Sequence, residues 1–292
     1  MTRLLLGLIG ANIGKSLAPA LHEDACAAAG LRGHYHLMDL EILPGRRLED
    51  LLAAARIAGF AGLNITYPCK ESVLPLLDEV SPEARQIGAV NTVTIDRDQR
   101  TGGHNTDRIG FRRAFEEELG PDAVRGRTAL LVGAGGAGRA VAFALFDLGA
   151  ETLLVHDKDG DRAVRLAADL VAAFGVGRCR PVADAAAALS EAAGVVNATP
   201  VGMLGIPGVP LAVKAIGSHH FVADVIYTPL ETELIKAASA RGAMVMGGSG
   251  MCVHQAAESF RLFTGISPDI DRMRRTFAAA AAVRAHVLAE AG

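Results

Sequence analysis

The sequence predicts an α/β protein of two domains: an N-terminal domain with a mostly parallel sheet, a second α/β domain after it, and C-terminal helices that return to the first. Three observations carry this expectation. Short apolar runs bounded by glycine alternate with helical patterns along most of the chain, the rhythm of parallel strands joined by helices. Gly133, Gly135 and Gly138 stand at G-x-G-x-x-G spacing between an apolar run, Thr128 to Val132, and a helical one, Arg139 to Phe146. A chain of 292 residues is long enough for two domains, each with its own core.

The elements follow in order. Leu4 to Ile9 reads as a central strand buried on both faces. After a loop, Pro19 suits the first turn of a helix that runs to about Ala29. Tyr35 to Leu40 reads as a strand, and Arg47 to Ile57 as an amphipathic helix with Leu48, Leu51, Leu52 and Ala55 at helical spacing. Gly62 to Thr66 is a short strand, and Tyr67 to Lys70 is expected to lead into a helix. Gly88 to Ile95 is strand-like, Asp96 to Gly102 is turn-rich, and Gly103 to Asp107 returns as a polar strand end. A helix from Ile109 to about Leu119 then carries the chain into the second domain with no flexible linker.

That domain continues with the strand Thr152 to His156, the helix Arg162 to Phe174, a strand near Arg180, the helix Asp184 to Ala193, and a buried run from Gly194 that breaks at Thr199-Pro200. Phe221 to Ile226 and Ala243 to Met246 complete the strands. Two helices follow, Met251 to Phe263 and Pro268 to Ala291. The domain bounds so predicted are 1–109 with 250–292, and 110–249.

The glycine pattern has a physical meaning. Gly133 permits a tight turn, Gly135 lets backbone N–H groups approach a pyrophosphate, Gly138 lets the helix pack on the strand, and the phosphates meet the positive helix N-terminus. Asp157 ends the next strand 24 residues after Gly133, about where an acid meets the adenosine ribose. Strand, turn, helix, strand and acid in that order describe a Rossmann-type dinucleotide-binding domain.

Composition excludes other classes. With 50% hydrophobic and 21% charged residues the chain has the make-up of a globular enzyme. A net charge of −3 without a Lys/Arg cluster argues against a nucleic-acid partner. The first apolar run is too short to span a bilayer, so no membrane partner is expected and the cytoplasm is the default location. Cys26, Cys69, Cys179 and Cys252 fit no metal-ligand spacing and no disulfide framework, so no metal is expected. The sequence leaves monomer and homodimer equally open. Polar residues collect at strand ends and loops, namely Ser16, Asn64, Thr66, Lys70, Asn91, Asn105, Thr106 and Asp107, where function usually sits.

Seven short stretches in one order, Asn64 to Lys70, Gly88 to Thr92, His104 to Asp107, Gly133 to Gly138, Asn197 to Met203, Asp224 to Pro229 and His254-Gln255, resemble those of the shikimate dehydrogenase family, most closely its quinate/shikimate branch. The resemblance implies reversible oxidation of the C3 hydroxyl of shikimate or quinate, a hydroxylated cyclohexene or cyclohexane carboxylate, to a ketone, with hydride passing to nicotinamide. It implies Lys70 and Asp107 as the catalytic pair. Removing a hydroxyl proton as hydride leaves requires a group within hydrogen-bond reach that gives and takes that proton. It further implies that Thr66, Asn91 and Gln255 meet the ring hydroxyls and Ser16 the carboxylate, in a domain formed by 1–109 and 250–292, and that Tyr227 also reaches the substrate pocket. The implied cofactor set is Gly133, Ala134, Gly135, Gly136, Ala137, Gly138, Asp157, Arg162, Thr199, Met203, Val225 and Gly248, in an NAD(P)-binding domain at 110–249.

Two departures from the family pattern matter. A second hydroxyl usual two residues after Ser16 is replaced by Ala18, which removes one carboxylate hydrogen bond. The stretch after the second nucleotide strand is Asp157-Lys-Asp-Gly-Asp161 where NADP-using members commonly carry an arginine for the 2′-phosphate. A carboxylate there favours ribose hydroxyls and repels phosphate, so NAD is expected, with Lys158 and Arg162 keeping NADP open. The alternatives are an aminoshikimate or aminoquinate dehydrogenase, a methylene-tetrahydrofolate dehydrogenase of similar plan, and a catalytically inactive metabolite sensor.

Overall fold

The computed structural model describes residues 2–43 and 45–290. Met1, Ala291 and Gly292, to which the predicted bounds and last helix extend, lie outside the described residues. The chain divides into two compact units, one of 1–106 with 253–292 and one of 107–252.

The first unit runs β1 (Arg3–Gly10), α1 (Ala18–Ala28), β2 (Arg32–Asp39), α2 (Leu48–Ile57), β3 (Gly62–Ile65), β4 (Glu79–Val80), α3 (Pro82–Ile87), β5 (Thr92–Ile95) and β6 (Thr101–His104). Its sheet has the order β2-β1-β3-β5-β6-β4. All pairings are parallel except those of β5, which runs antiparallel to both β3 and β6. Alternate residues of β1 feed two cores, as expected for a central strand. Leu6 and Leu8 pack with Tyr35 and Phe260, whereas Ile9 packs with Leu51, Leu52, Leu63 and Ile65. The backbone N–H of Arg47 donates to Asp50 Oδ2 (2.9 Å), closing the first turn of α2.

One expected helix is absent. Residues 67–73 form turns, followed by a single 3₁₀ turn at Leu74–Leu76. Pro75 explains this, because an α-helix through it would lose one backbone bond and clash with the preceding turn. Helix α3 was not anticipated. Ser81 starts it by accepting from Ala84 N (3.1 Å), with Pro82 in the first turn, and Gly88 ends it in a left-handed conformation.

The second unit runs α4 (Asp107–Glu118), β7 (Thr128–Val132), α5 (Gly136–Asp147), β8 (Thr152–His156), α6 (Gly160–Phe174), β9 (Cys179–Pro181), α7 (Ala185–Ala188), β10 (Gly194–Asn197), β11 (Phe221–Asp224), α8 (Glu233–Ser239) and β12 (Met244–Met246). The sheet order is β12-β11-β10-β7-β8-β9, parallel throughout. Strand order reverses between β7 and β10, the doubly wound Rossmann arrangement. The run expected to extend beyond Asn197 stops there. The N–H and Oγ1 of Thr199 both donate to Asn197 Oδ1 (3.0 and 2.7 Å), a side-chain turn that replaces the ladder.

Helix α9 (Gly248–Thr264) crosses from the second unit's residues to the first's, and α10 (Ile270–Glu290) closes the first unit. Helix α10 is held on α1 by Asp24, which accepts from Arg272 Nη2 and Nε (2.7 and 2.8 Å) and from Thr276 Oγ1 (2.8 Å). Among the described residues no helix is long and apolar enough to cross a membrane.

Candidate functional site

In the first unit a buried polar network gathers side chains from β3, β5, the β6–α4 link and α9. Asn64 is its hub. Tyr35 donates its hydroxyl to Asn64 Oδ1 (2.8 Å), which fixes the amide so that Nδ2 donates to Ser259 Oγ (3.0 Å) and Thr92 Oγ1 (3.2 Å). Thr92 in turn donates its O–H to Asn91 Oδ1 (3.0 Å), with Ser259 Oγ 2.8 Å from Thr92 Oγ1. Asn91 Oδ1 accepts from Thr106 N (2.8 Å), and Asn91 Nδ2 donates to Thr106 Oγ1 (2.9 Å). Thr106 Oγ1 reaches Gln255 Oε1 (3.5 Å), and Ser259 donates back to the Gln255 carbonyl (2.9 Å). Buried polar atoms left unmatched would each cost about 1–3 kcal/mol, so a network this complete fixes the rotamers of Asn91 and Thr106.

Backbone and loop hydrogen bonds place the other predicted residues of this unit. The Lys70 carbonyl accepts from Val90 N (2.8 Å), holding Lys70 one residue from Asn91. Thr66 N donates to Ile9 O (2.9 Å), at the carboxyl end of β1. Ser16 lies in the loop after β1, where its Oγ accepts from Ala18 N (3.2 Å) and leaves the O–H to donate elsewhere. That loop is fastened by Asp39, whose carboxylate accepts from Asn12 N (2.9 Å) and Ile13 N (2.8 Å), and by Arg284, which donates to the Lys15 carbonyl (2.9 Å).

The second unit presents the glycine turn. Gly133 has φ +106°, and a Cβ there would stand 2.8 Å from the Ala198 carbonyl. A Cβ on Gly138 would stand 1.9 Å from the Gly133 carbonyl oxygen, so only glycine lets α5 pack so close. At Gly135 the nearest atom to such a Cβ is Arg162 Nη1 at 3.7 Å, so here the backbone is open to a ligand. This cradle, at the N-terminus of α5, fits the pyrophosphate of a dinucleotide. Asp157 is half-buried at the end of β8. Its Oδ2 accepts from Ala134 N (2.7 Å) and its Oδ1 from Asp159 N (2.9 Å), so the expected ribose acid also braces the glycine turn.

At the other end of the sheet, Thr199 and Met203 follow β10, while Val225 and Tyr227 follow β11. Gly248 N donates to Ile226 O (3.1 Å), bringing it beside Val225. A fully buried carboxylate, Asp224, underlies these loops. Burial pushes it up to about 6, against three donors that favour its charged form.

Sequence reasoning missed Ser259, Thr92, Tyr35, Asp39 and the role of Asp224. Two had a signal. An acid ends each of the strands carrying Asp39 and Asp224, and Ser259 follows Gln255 by four residues, on the same helix face. Among the described residues no group of three His, Cys, Asp or Glu side chains is gathered as for a metal.

Fold and site together define a two-unit α/β protein with a Rossmann-type unit for a dinucleotide. The shikimate dehydrogenase substrate binding domain matches residues 8–93, and the shikimate 5'-dehydrogenase C-terminal domain matches residues 248–276. The chain is 50% identical over 279 residues to a quinate/shikimate dehydrogenase (NAD(+)) of Corynebacterium efficiens, covering 94% of this chain and 97% of that protein. It is 48% identical to a shikimate dehydrogenase (NADP(+)) of Pseudarthrobacter chlorophenolicus, covering 94% of each. The solved structure of quinate dehydrogenase from Corynebacterium glutamicum in complex with NAD superposes with a TM-score of 0.88 at 46% identity, covering 96% of this chain and 100% of that one. This chain belongs to the shikimate dehydrogenase family.

Proposed function

We propose that this protein is a dehydrogenase that reversibly oxidises the C3 hydroxyl of shikimate and/or quinate to the 3-dehydro ketone, with NAD as hydride acceptor. The observation that carries the reading is the Asn91 amide. It is locked by Thr92 and Thr106 (3.0 and 2.8 Å), one residue along the chain from the backbone partner of Lys70 and bonded to the residue preceding Asp107. Such rigidity suits a group that orients a polyol.

In this reading the substrate domain is 1–109 with 250–292, and the NAD(P)-binding domain is 110–249. Lys70 and Asp107 give and take the proton of the reacting hydroxyl. Asn91, Thr66 and Gln255 orient the ring through its other hydroxyls, and Tyr227 also contacts the substrate. Ser16 donates its O–H to the substrate carboxylate. With Ala18 following, the carboxylate has one side-chain donor fewer in this loop.

Bound nicotinamide supplies the acceptor for hydride. Gly133 to Gly138 take its pyrophosphate and Asp157 accepts from the adenosine ribose hydroxyls, with Arg162 alongside. Thr199, Met203, Val225 and Gly248 line the nicotinamide end. Asp157 also selects against NADP, since a 2′-phosphate beside a carboxylate meets like charge. The test is a matrix of initial rates with quinate, shikimate and aminoshikimate against NAD and NADP. NAD-dependent oxidation of quinate or shikimate is expected; activity confined to the amino analogue, or none at all, would overturn the reading.

A further inference from the structure

In a Rossmann-type sheet each half holds one mononucleotide. The glycine turn and Asp157 belong to the half made by β7, β8 and β9. The other mononucleotide, carrying nicotinamide, therefore falls to β10, β11 and β12 and to the loops at their carboxyl ends, 198–203 and 225–232. In these loops Met203 and Leu230 are 40 and 49% exposed, although Ile226 is buried.

We propose that Asp224 is a positioning residue for the nicotinamide half of the cofactor site, its single carboxylate tying the loop after β10 to the loop after β11. The inference rests on the reading that the protein uses a nicotinamide dinucleotide. Asp224 Oδ1 accepts from Asn197 Nδ2 and from Ile226 N, both at 3.1 Å. Its Oδ2 accepts from Thr232 Oγ1 at 2.8 Å.

Each partner extends the tie outward. Asn197 grips its own loop through Oδ1, which accepts from Thr199 N and Oγ1, and through Nδ2, which donates to the Val201 carbonyl (3.2 Å). Thr199 Oγ1 accepts from Val201 N (3.1 Å), so the residue expected to meet nicotinamide has both its N–H and its hydroxyl fixed by this chain of bonds. On the other side, Ile226 passes the constraint to Gly248 (3.1 Å), and Thr232 caps α8 by accepting from Ile235 N (3.3 Å).

Three donors from three chain positions converge on one side chain, which calls for an acceptor-only group with two oxygens. A carboxylate fully buried at the end of an apolar strand is costly, and burial pushes it up to about 6. Core packing alone would favour an apolar residue there. The carboxylate is explained by the two loops it holds in register.

The test compares affinity for NADH with affinity for ADP-ribose, which keeps the adenosine half and lacks nicotinamide, by calorimetry on the full chain. Asp224→Ala is expected to weaken NADH by roughly tenfold or more and to lower kcat, with ADP-ribose affinity within about twofold. Asp224→Asn keeps one oxygen and is expected to fall between. Thr232→Val removes a single donor and reads the same ratio if the alanine variant fails to fold. A simple structural defect would weaken both ligands together, and equal losses, or none, in the folded variants would overturn the inference while leaving the cofactor reading intact. Wild-type protein that binds neither ligand would overturn both.

Discussion

The buried Asp224 carboxylate makes stability depend on pH in a direction opposite to that of most salt-bridged acids. Its ordinary value is 3.8 and burial pushes it up to about 6 in the folded protein. The folded state therefore holds the proton more tightly than the unfolded chain. The resulting stabilisation is fully present below 3.8 and is lost as pH rises through 6. A shift of this size corresponds to about 3 kcal/mol in full, of which about 2.4 kcal/mol falls between pH 4 and pH 7. Asp224→Asn is nearly isosteric and does not titrate. Whatever hydrogen bonding it loses is a constant offset, whereas the pH-dependent part disappears.

Urea unfolding of both proteins at half-unit steps from pH 4 to pH 7 gives the difference directly. The stability of Asp224→Asn relative to wild type is expected to rise by about 2 kcal/mol across that range, with half of the rise reached near pH 5 and a plateau above about pH 6. Contributions of all other groups cancel in the difference. Curves that run parallel would show that Asp224 is as readily ionised in the folded protein as in the unfolded chain, and the account of its burial would be wrong.

The remaining predictions concern other parts of the molecule. Lys70→Ala is expected to lower kcat by roughly 10²–10⁴ with NADH affinity nearly unchanged, and wild-type turnover in that variant would remove Lys70 from the chemistry. Asp157→Ser combined with Lys158→Arg is expected to shift the ratio of kcat/KM toward NADP. Because Asp157 also accepts from Ala134 N and Asp159 N, the change is expected to cost about 1–2 kcal/mol of stability as well; an unaltered cofactor ratio would refute the first part and an unaltered unfolding midpoint the second. Gly138→Ala drives a Cβ against the Gly133 carbonyl oxygen and is expected to destabilise by roughly 1–3 kcal/mol and weaken ADP-ribose binding, which calorimetry and thermal unfolding read together. His22, stacked on Tyr35 with a buried, unpartnered Nδ1, is pushed down by burial to about 3. Its stabilisation is present above 6.5 and lost as pH falls, so His22→Phe is expected to spare about 2 kcal/mol of the loss between pH 6.5 and pH 4.5, and an unchanged acid slope would contradict it.

What the sequence discloses and what it hides divide along a physical line. The parallel strands were legible because burial on both faces demands continuous apolar runs such as 128–132 and 221–224, which little else in a folded chain requires. The glycine turn was legible because Gly138 leaves no room for any side chain, a steric demand written in one residue. The helix expected after Lys70 failed because local pattern was read past Pro75, which breaks it. Polar networks are hidden for a different reason.

Asn64, Thr92, Thr106 and Ser259 come from four elements, and Ser259 lies 195 residues from Asn64, to which it bonds at 3.0 Å. Their partnership exists only after the sheet and α9 are assembled, so no spacing in the chain announces it. The same holds for Asp224, whose donors lie 27 residues before it and two and eight after it. A polar residue at the end of an apolar strand is nonetheless a signal that physics supplies in advance. Burial there is costly unless donors are waiting, and in both units those donors sit in the loops that frame the proposed site.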